Sequence, residues 1–198
     1  SRSMSPELEN LREQHGDDLL CFQADVTKPA QLKDIAANFS EQGISLEILI
    51  NNAAVHFEHQ DPGLENLDPD EILKTLQVNS VAPLSVVQHF LPFVQKMIVN
   101  ISSEAGSIEN CWRTGQFGYC MSKAALNMAS KILQNRLEED RIKVQAVHPQ
   151  WFRSDMGGSE APLSTAEAAE QVRKTILKDW SLTDPIYVDS KTSRKIAW

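Results

Sequence analysis

Tyr119 and Lys123 stand four residues apart, a short way after the pair Ser102-Ser103 that ends the apolar run Met97 to Ile101. On a helix, residues at that spacing share a face, which puts the ammonium of Lys123 beside the phenol of Tyr119. A nearby positive charge favours the phenolate and lowers the phenol from its usual value of about 10. A phenol tuned in this way can give and recover a proton near neutral pH. A serine hydroxyl at a strand end can hold a substrate oxygen. Together these residues suit the reduction of a carbonyl. A Tyr-x-x-x-Lys pair is also frequent on amphipathic helices, so its surroundings decide its meaning.

Helix and strand signals alternate along the chain, which predicts an α/β protein with a mostly parallel sheet. Ser5, Pro6 and Glu7 read as a cap and first turn, with Gly16 as the stop. Leu19 to Gln23 reads as a strand ending at Asp25-Val26, Pro29 to Phe39 as a helix with Gly43 beyond its end, and Leu46 to Ile50 as a short buried strand. Pro62, Gly63 and Pro69 break the loop that follows. Asp70 to about Gln95 has a helical pattern interrupted by Pro83, and Met97 to Ile101 is a strand. Gly118 to about Leu137 is a helix with Met121, Ala125, Met128 and Ile132 as one packing stripe. Ile142 to Val147 is a strand, Thr165 to Leu177 a helix, and Ile186 to Val188 a short strand. No internal repeat or low-complexity tract occurs.

The 198 residues fit one domain with a real core. A net charge of −8 without a basic run argues against a nucleic-acid surface. No apolar stretch is long enough for a membrane span, and no signal peptide is evident at the start. Cys21, Cys111 and Cys120 have no metal or redox spacing, which points to reduced thiols and a cytoplasmic protein. Cys120 reads as a helix-packing residue. His56-Phe-Glu-His59 lacks a zinc-protease spacing and reads as a polar loop, so no metal site is expected. No Gly-x-Ser-x-Gly elbow supports a serine hydrolase.

Five stretches, in order, resemble the short-chain dehydrogenase/reductase family: Leu49 to Ala54, Leu76 to Asn79, Ile98 to Gly106, Tyr119 to Leu126, and Val147 to Pro149. The resemblance runs from near Ser1 to Trp198. It implies a Rossmann-like, doubly wound parallel sheet in three α/β/α layers. It also implies an NAD(P)-dependent enzyme, with NADP(H) favoured over NAD(H), acting on a small carbonyl or alcohol substrate. By the same resemblance Tyr119 is the general acid/base, Lys123 lowers its pKa and binds the nicotinamide ribose, and Ser103 holds the substrate oxygen. Asn79 holds a water that links Lys123 to solvent; a helix-interior amide bonding backbone is the plainer reading of that residue. Ser102 is the weaker candidate for the serine role.

Cofactor contacts are implied for Asp25 and Val26 beside the adenine, for the Asn52-Ala53-Ala54 turn, and for Pro149, Phe152 and Ser154. Asp25 also reads as a helix cap. Arg2 lies where an NADP-preferring member places a base for the 2′-phosphate. Ala54 stands in place of a glycine, and Gln150 replaces the glycine of a Pro-Gly pair, where its side chain could crowd the nicotinamide. Residues 151–165, with Trp151 against substrate, look like a mobile lid. The Met-Gly-Gly at 156–158 and the tail ending in Trp198 resemble the C-factor and Sniffer-type carbonyl reductase branch. The long Asp70 and Gly118 helices could pair subunits in a homodimer or homotetramer.

Two features stand apart. No glycine-rich phosphate loop occurs, and against the family the chain begins just after the second strand. An N-terminal βαβ portion is therefore expected to be missing, one whose strands would lie between Leu19 and Leu46. The Pro83 helix also runs into the Met97 strand with almost no connection, as a missing loop or a true deletion would leave it. The missing loop and Gln150 motivate a second reading, a family-derived binding or regulatory protein that has lost catalysis along with its nucleotide site.

Overall fold

The core of the fold is a parallel sheet covered on both faces, its strands built of apolar residues interrupted by buried polar ones such as Asn100 and Gln145. The computed structural model describes residues 2–57 and 63–198; His59 of the two-histidine loop and the breaker Pro62 lie outside them. Among the described residues the strands are β1 (Leu46–Asn51), β2 (Val94–Ile101), β3 (Lys143–His148) and β4 (Tyr187–Asp189). They pair in that order, all parallel, with Asn51 opposite Asn100, Asn100 opposite Ala146, and Val147 opposite Val188.

Parallel neighbours need crossovers, and helices supply them. Between β1 and β2 run α3 (Pro69–Leu76), a π-helical turn (Gln77–Val81) and α4 (Ala82–Phe90). Between β2 and β3 runs α5 (Phe117–Arg136), and between β3 and β4 runs α6 (Thr165–Ile176). Val87, Leu137 and Leu133 close one sheet face over Ile98 and Val144. Val172, Ile176 and Trp180 close the other over Met97, Val99, Val147 and Val188. This gives the three layers. Each fully buried Val or Ile contributes about 1.5–3 kcal/mol relative to exposure.

Local signals set the helix ends. Ser5 caps α1 (Pro6–His15), accepting from the Leu8 N–H, and Gly16 ends it at φ 54°. Before α2 (Pro29–Gln42), proline fills the first position, and Gly43 takes the left-handed conformation that glycine adopts without strain. Ser164 and Glu167 form a reciprocal capping box on α6.

Three expectations need correction. Leu19 to Gln23 is not a strand: it runs without a ladder partner among the described residues, and a strand exists only through its neighbour's hydrogen bonds. The long helical pattern stops at Phe90, and a single 3₁₀ turn, Leu91–Phe93, enters a strand that begins at Val94. That turn is the whole connection, so no loop is needed there. The Met121, Met128 and Ile132 stripe faces outward, at 50%, 61% and 57% exposure. The face of α5 that packs inward carries Ser122, Leu126, Ala129 and Leu133 instead. Both faces have helical periodicity, and periodicity cannot say which one meets the sheet.

Candidate active site

In an open parallel sheet, ligands bind beyond the carboxyl ends of the strands, and the chemistry-bearing residues gather there. The β2 ladder continues one residue past the strand, where the Ser102 N–H donates to the Val147 carbonyl at 2.8 Å. Ser102 is then spent on structure: its Oγ donates to Asn127 Oδ1 at 2.6 Å, and Asn127 Nδ2 donates to the Gly106 carbonyl at 3.1 Å. Ser103 turns the other way. Its Oγ accepts from the Ala105 N–H at 3.2 Å and hydrogen-bonds the Tyr119 phenol. The Tyr187 hydroxyl donates to the Ser103 carbonyl at 2.5 Å and steadies its backbone.

Tyr119 and Lys123 share one face of α5, as their spacing requires. The Lys123 Nζ lies 5.7 Å from the centre of the Tyr119 ring. The ammonium is buried, and it donates to the Ile101 carbonyl at 2.8 Å. The expected lowering of the phenol by this lysine is not the balance that results. Burial pushes Tyr119 up, while its hydrogen bond with Ser103 and the charge of Arg113 oppose that rise. Burial also lowers Lys123 to about 8. The His56 ring packs on Tyr119 with centroids 4.6 Å apart.

Lys123 is therefore costly to the fold. Below pH 8 it is charged in both folded and unfolded chains, and the folded chain bears the full burial cost. Between about 8 and the ordinary 10.5 the folded chain loses its proton first, so stability rises with pH across that window. Lys123→Met is expected to stabilise the protein at pH 7 by up to about 3 kcal/mol. The gain should fade toward pH 10.5. Urea melts of both proteins at several pH values measure the gap; a gap independent of pH would contradict the burial assignment.

Asn79 sits in the π turn, fully buried. Its amide Nδ2 donates to the Val55 carbonyl and to Ser122 Oγ, and its Oδ1 accepts from the Val55 N–H, at 2.8, 3.0 and 2.8 Å. Asn79 thereby clamps the end of the Asn52-Ala53-Ala54 turn against α5. A second polar spine runs inside the sheet, from Asn51 to Asn100 to Ser130.

The remaining expected residues fall into separate groups. Asp25 accepts from both the N–H and the hydroxyl of Thr27, bonds that hold its carboxyl below the ordinary range, with the Arg2 charge a smaller contribution. It closes a turn and does not cap the next helix, whose cap position is Lys28 with no side-chain cap bond. Val26 is half-buried in the same turn. Pro149 follows β3. Gln150 has φ 75°, a left-handed conformation suited to glycine. Its side chain does not remain free to crowd a neighbour: Nε2 donates to Asp189 Oδ2 at 2.5 Å. Between them, residues 151–158 fold on themselves. Trp151 Nε1 donates to the Gly157 carbonyl, Ser154 Oγ accepts from the Gly157 N–H, and Phe152 bridges to Leu163.

Sequence reasoning missed Glu104, Arg113, Asn127, His148 and Tyr187. Asn127 had a signal, since it continues the Tyr119, Lys123 face by one more helical turn. Glu104 adjoins the serine pair. Arg113 lies in an irregular loop, where no periodicity marks it.

Comparison with known proteins settles the lineage. The family profile described as short chain dehydrogenase matches residues 2–163. The chain belongs to that family. C-signal of Myxococcus xanthus is 30% identical over 135 residues, spanning 66% of this chain and 80% of the relative. The carbonyl reductase Sniffer of D. melanogaster superposes with a TM-score of 0.89 at 28% identity, covering 97% of this chain and 83% of that one. NADPH-bound carbonyl reductase from chicken fatty liver superposes at 0.87 with 32% identity, covering 97% and 82%. The family is one of oxidoreductases acting on CH–OH and C=O groups. The resemblance to its carbonyl reductase branch holds at the level of sequence and fold. Among the described residues no helix is long and apolar enough to cross a membrane.

Proposed function

We propose that this short-chain dehydrogenase reduces a small carbonyl compound, or oxidises the matching alcohol, with NADP(H) as cofactor. The observation that carries the reading is the convergence of Ser103, Tyr119 and Lys123 at the strand ends, with Ser102 diverted to Asn127. A buried ammonium has three N–H donors, and Lys123 has one hydrogen-bond acceptor among the described residues, the Ile101 carbonyl. The remaining donors suit the hydroxyls of a nicotinamide ribose. Asn52, Ala53, Ala54, Pro149, Phe152 and Ser154 would line the nicotinamide half, and Asp25 and Val26 the adenine. Arg2 would meet the 2′-phosphate, and NADP-bound relatives favour that choice.

When bound, the nicotinamide supplies or receives a hydride at the carbonyl carbon. Ser103 and Tyr119 hold the carbonyl oxygen by two hydrogen bonds. Tyr119 gives it a proton as negative charge develops, and the product is the alcohol. The cation at Lys123 favours the phenolate left behind. Reprotonation through Asn79 would use its main-chain carbonyl. The side chain is committed to Val55 and Ser122, so a water that relays the proton from solvent would be held by the main chain. Residues 151–165 would close over the substrate, with Trp151 against it. The test is consumption of NADPH on addition of ketones and aldehydes, with NADH in parallel. No consumption across a broad panel would contradict the reading.

A binding or regulatory protein of the same fold is the second reading. Gln150 favours it, because a non-glycine residue at φ 75° has replaced the backbone freedom of a Pro-Gly pair. Failure of the protein to bind NADPH would support it. Cys21, Cys111 and Cys120 form no disulfide among the described residues, which supports a cytoplasmic setting.

The outward apolar face of Met121, Met128 and Ile132, with Leu73, Val81 and Leu84 exposed on α3, the π turn and α4, supports a homodimer or homotetramer built on these helices. Met128→Glu is expected to shift the protein to monomer in sedimentation velocity. An unchanged mass would place the interface elsewhere.

A further inference from the structure

Glu104 directly follows the serine pair, and Arg113 lies in the loop leading into α5. The guanidinium grips the carboxylate with two hydrogen bonds, Nη1 to Oε2 at 2.9 Å and Nη2 to Oε1 at 2.5 Å. Its third nitrogen, Nε, donates to Gln116 Oε1 at 3.1 Å. Gln116 is the last residue before α5 and holds a left-handed φ of 60°. One guanidinium therefore ties the strand end that carries Ser103 to the helix start that carries Tyr119. The Trp112 ring covers it, 4.8 Å from centroid to guanidinium carbon, and the Arg113 side chain is only 17% exposed. The Glu104 N–H donates to His148 Nδ1 at 3.2 Å, which joins the same clamp to the end of β3. A two-pronged Arg–carboxylate pair fixes geometry as well as charge.

We propose that Glu104 and Arg113 form a positioning pair that sets the Ser103–Tyr119 geometry and balances charge beside the phenol. The proposal rests on the reading of Tyr119 as the proton-transfer residue. Several elements bring charge to that phenol. Lys123 and Cys120 come from α5, His56 from the loop after β1, Tyr187 from β4, and His148 stands behind Glu104. Arg113 and Glu104 act on it with opposite signs: the guanidinium holds Tyr119 down and the carboxylate raises it. While paired, they largely cancel.

Removing either partner should therefore move the phenol in opposite directions. Glu104→Gln leaves the guanidinium unopposed and lowers the phenol; Arg113→Met leaves the carboxylate alone and raises it. The two shifts are opposite in sign, and the double variant should return toward the parent. The experiment is a tyrosinate absorbance titration of the purified protein, with the step missing from Tyr119→Phe assigned to Tyr119. In parallel, the pH profile of NADPH-dependent turnover is measured. Arg113→Lys keeps the charge but loses the fork. It should hold the parent midpoint while kcat falls about tenfold or more with KM little changed. Midpoints that move together, or not at all, would overturn the pair. Full turnover by Tyr119→Phe would instead overturn the catalytic reading, and the titration would still report on the pair.

Discussion

Tyr119→Phe is expected to lower turnover by about 10²–10⁴-fold, the usual weight of a positioned acid or base, while the protein stays folded. The ring keeps its contact with His56 and its place on α5. What is lost is one hydroxyl, its hydrogen bond to Ser103 and its proton. A single hydrogen bond of this kind contributes about 1 kcal/mol to stability, so thermal unfolding should move by only a few degrees. Steady-state kinetics and a circular-dichroism melt on the same preparation separate the two effects. Turnover equal to the parent would remove Tyr119 from the chemistry.

Gly106→Ala should damage both stability and turnover. A Cβ at this position would lie 2.7 Å from the Lys123 carbonyl carbon and 2.8 Å from both the Lys123 oxygen and Asn127 Nδ2. Two of those atoms are backbone and cannot swing aside. Either α5 or the turn after Ser103 must shift. Overpacking of this kind costs about 1–3 kcal/mol, or roughly 2–12 °C in Tm for a chain of this size. The shift acts directly on the distance between Ser103 and Tyr119, where a displacement of about 1 Å costs on the order of a hundredfold in rate. An unchanged melting temperature would mean that the close approach of Gly106 to α5 is not what holds the two segments together.

Features set by a single residue's chemistry were legible in the sequence. Ser5, Pro29, Gly16 and Gly43 end helices for local reasons, and the structure puts those ends where the residues ask for them. The Tyr119, Lys123 pair was legible because helical spacing alone makes them neighbours. Ser103 was preferred to Ser102 by resemblance alone; that Ser102 bonds Asn127 across 25 residues of chain while Ser103 meets Tyr119 is a property of the fold.

Properties that belong to pairs of distant elements were not legible. Leu19 to Gln23 has strand composition, but a ladder needs a neighbour. The Met121, Met128 and Ile132 stripe has core composition, but α5 turns its other face to the sheet. The phenol's position reflects burial first, opposed by Ser103 and Arg113, and burial cannot be read from spacing. Glu104 and Arg113 are matched by a loop whose path only the fold defines.

The most direct test of the central claim is the fate of a labelled hydride. NADPH carrying deuterium at the transferring position of the nicotinamide would be mixed with the protein and a ketone that it consumes. The alcohol would then be read by mass spectrometry. The account predicts one deuterium on the new carbinol carbon, and none formed by Tyr119→Phe above background. An alcohol without deuterium, or NADPH bound while no alcohol forms from any carbonyl offered, would contradict it.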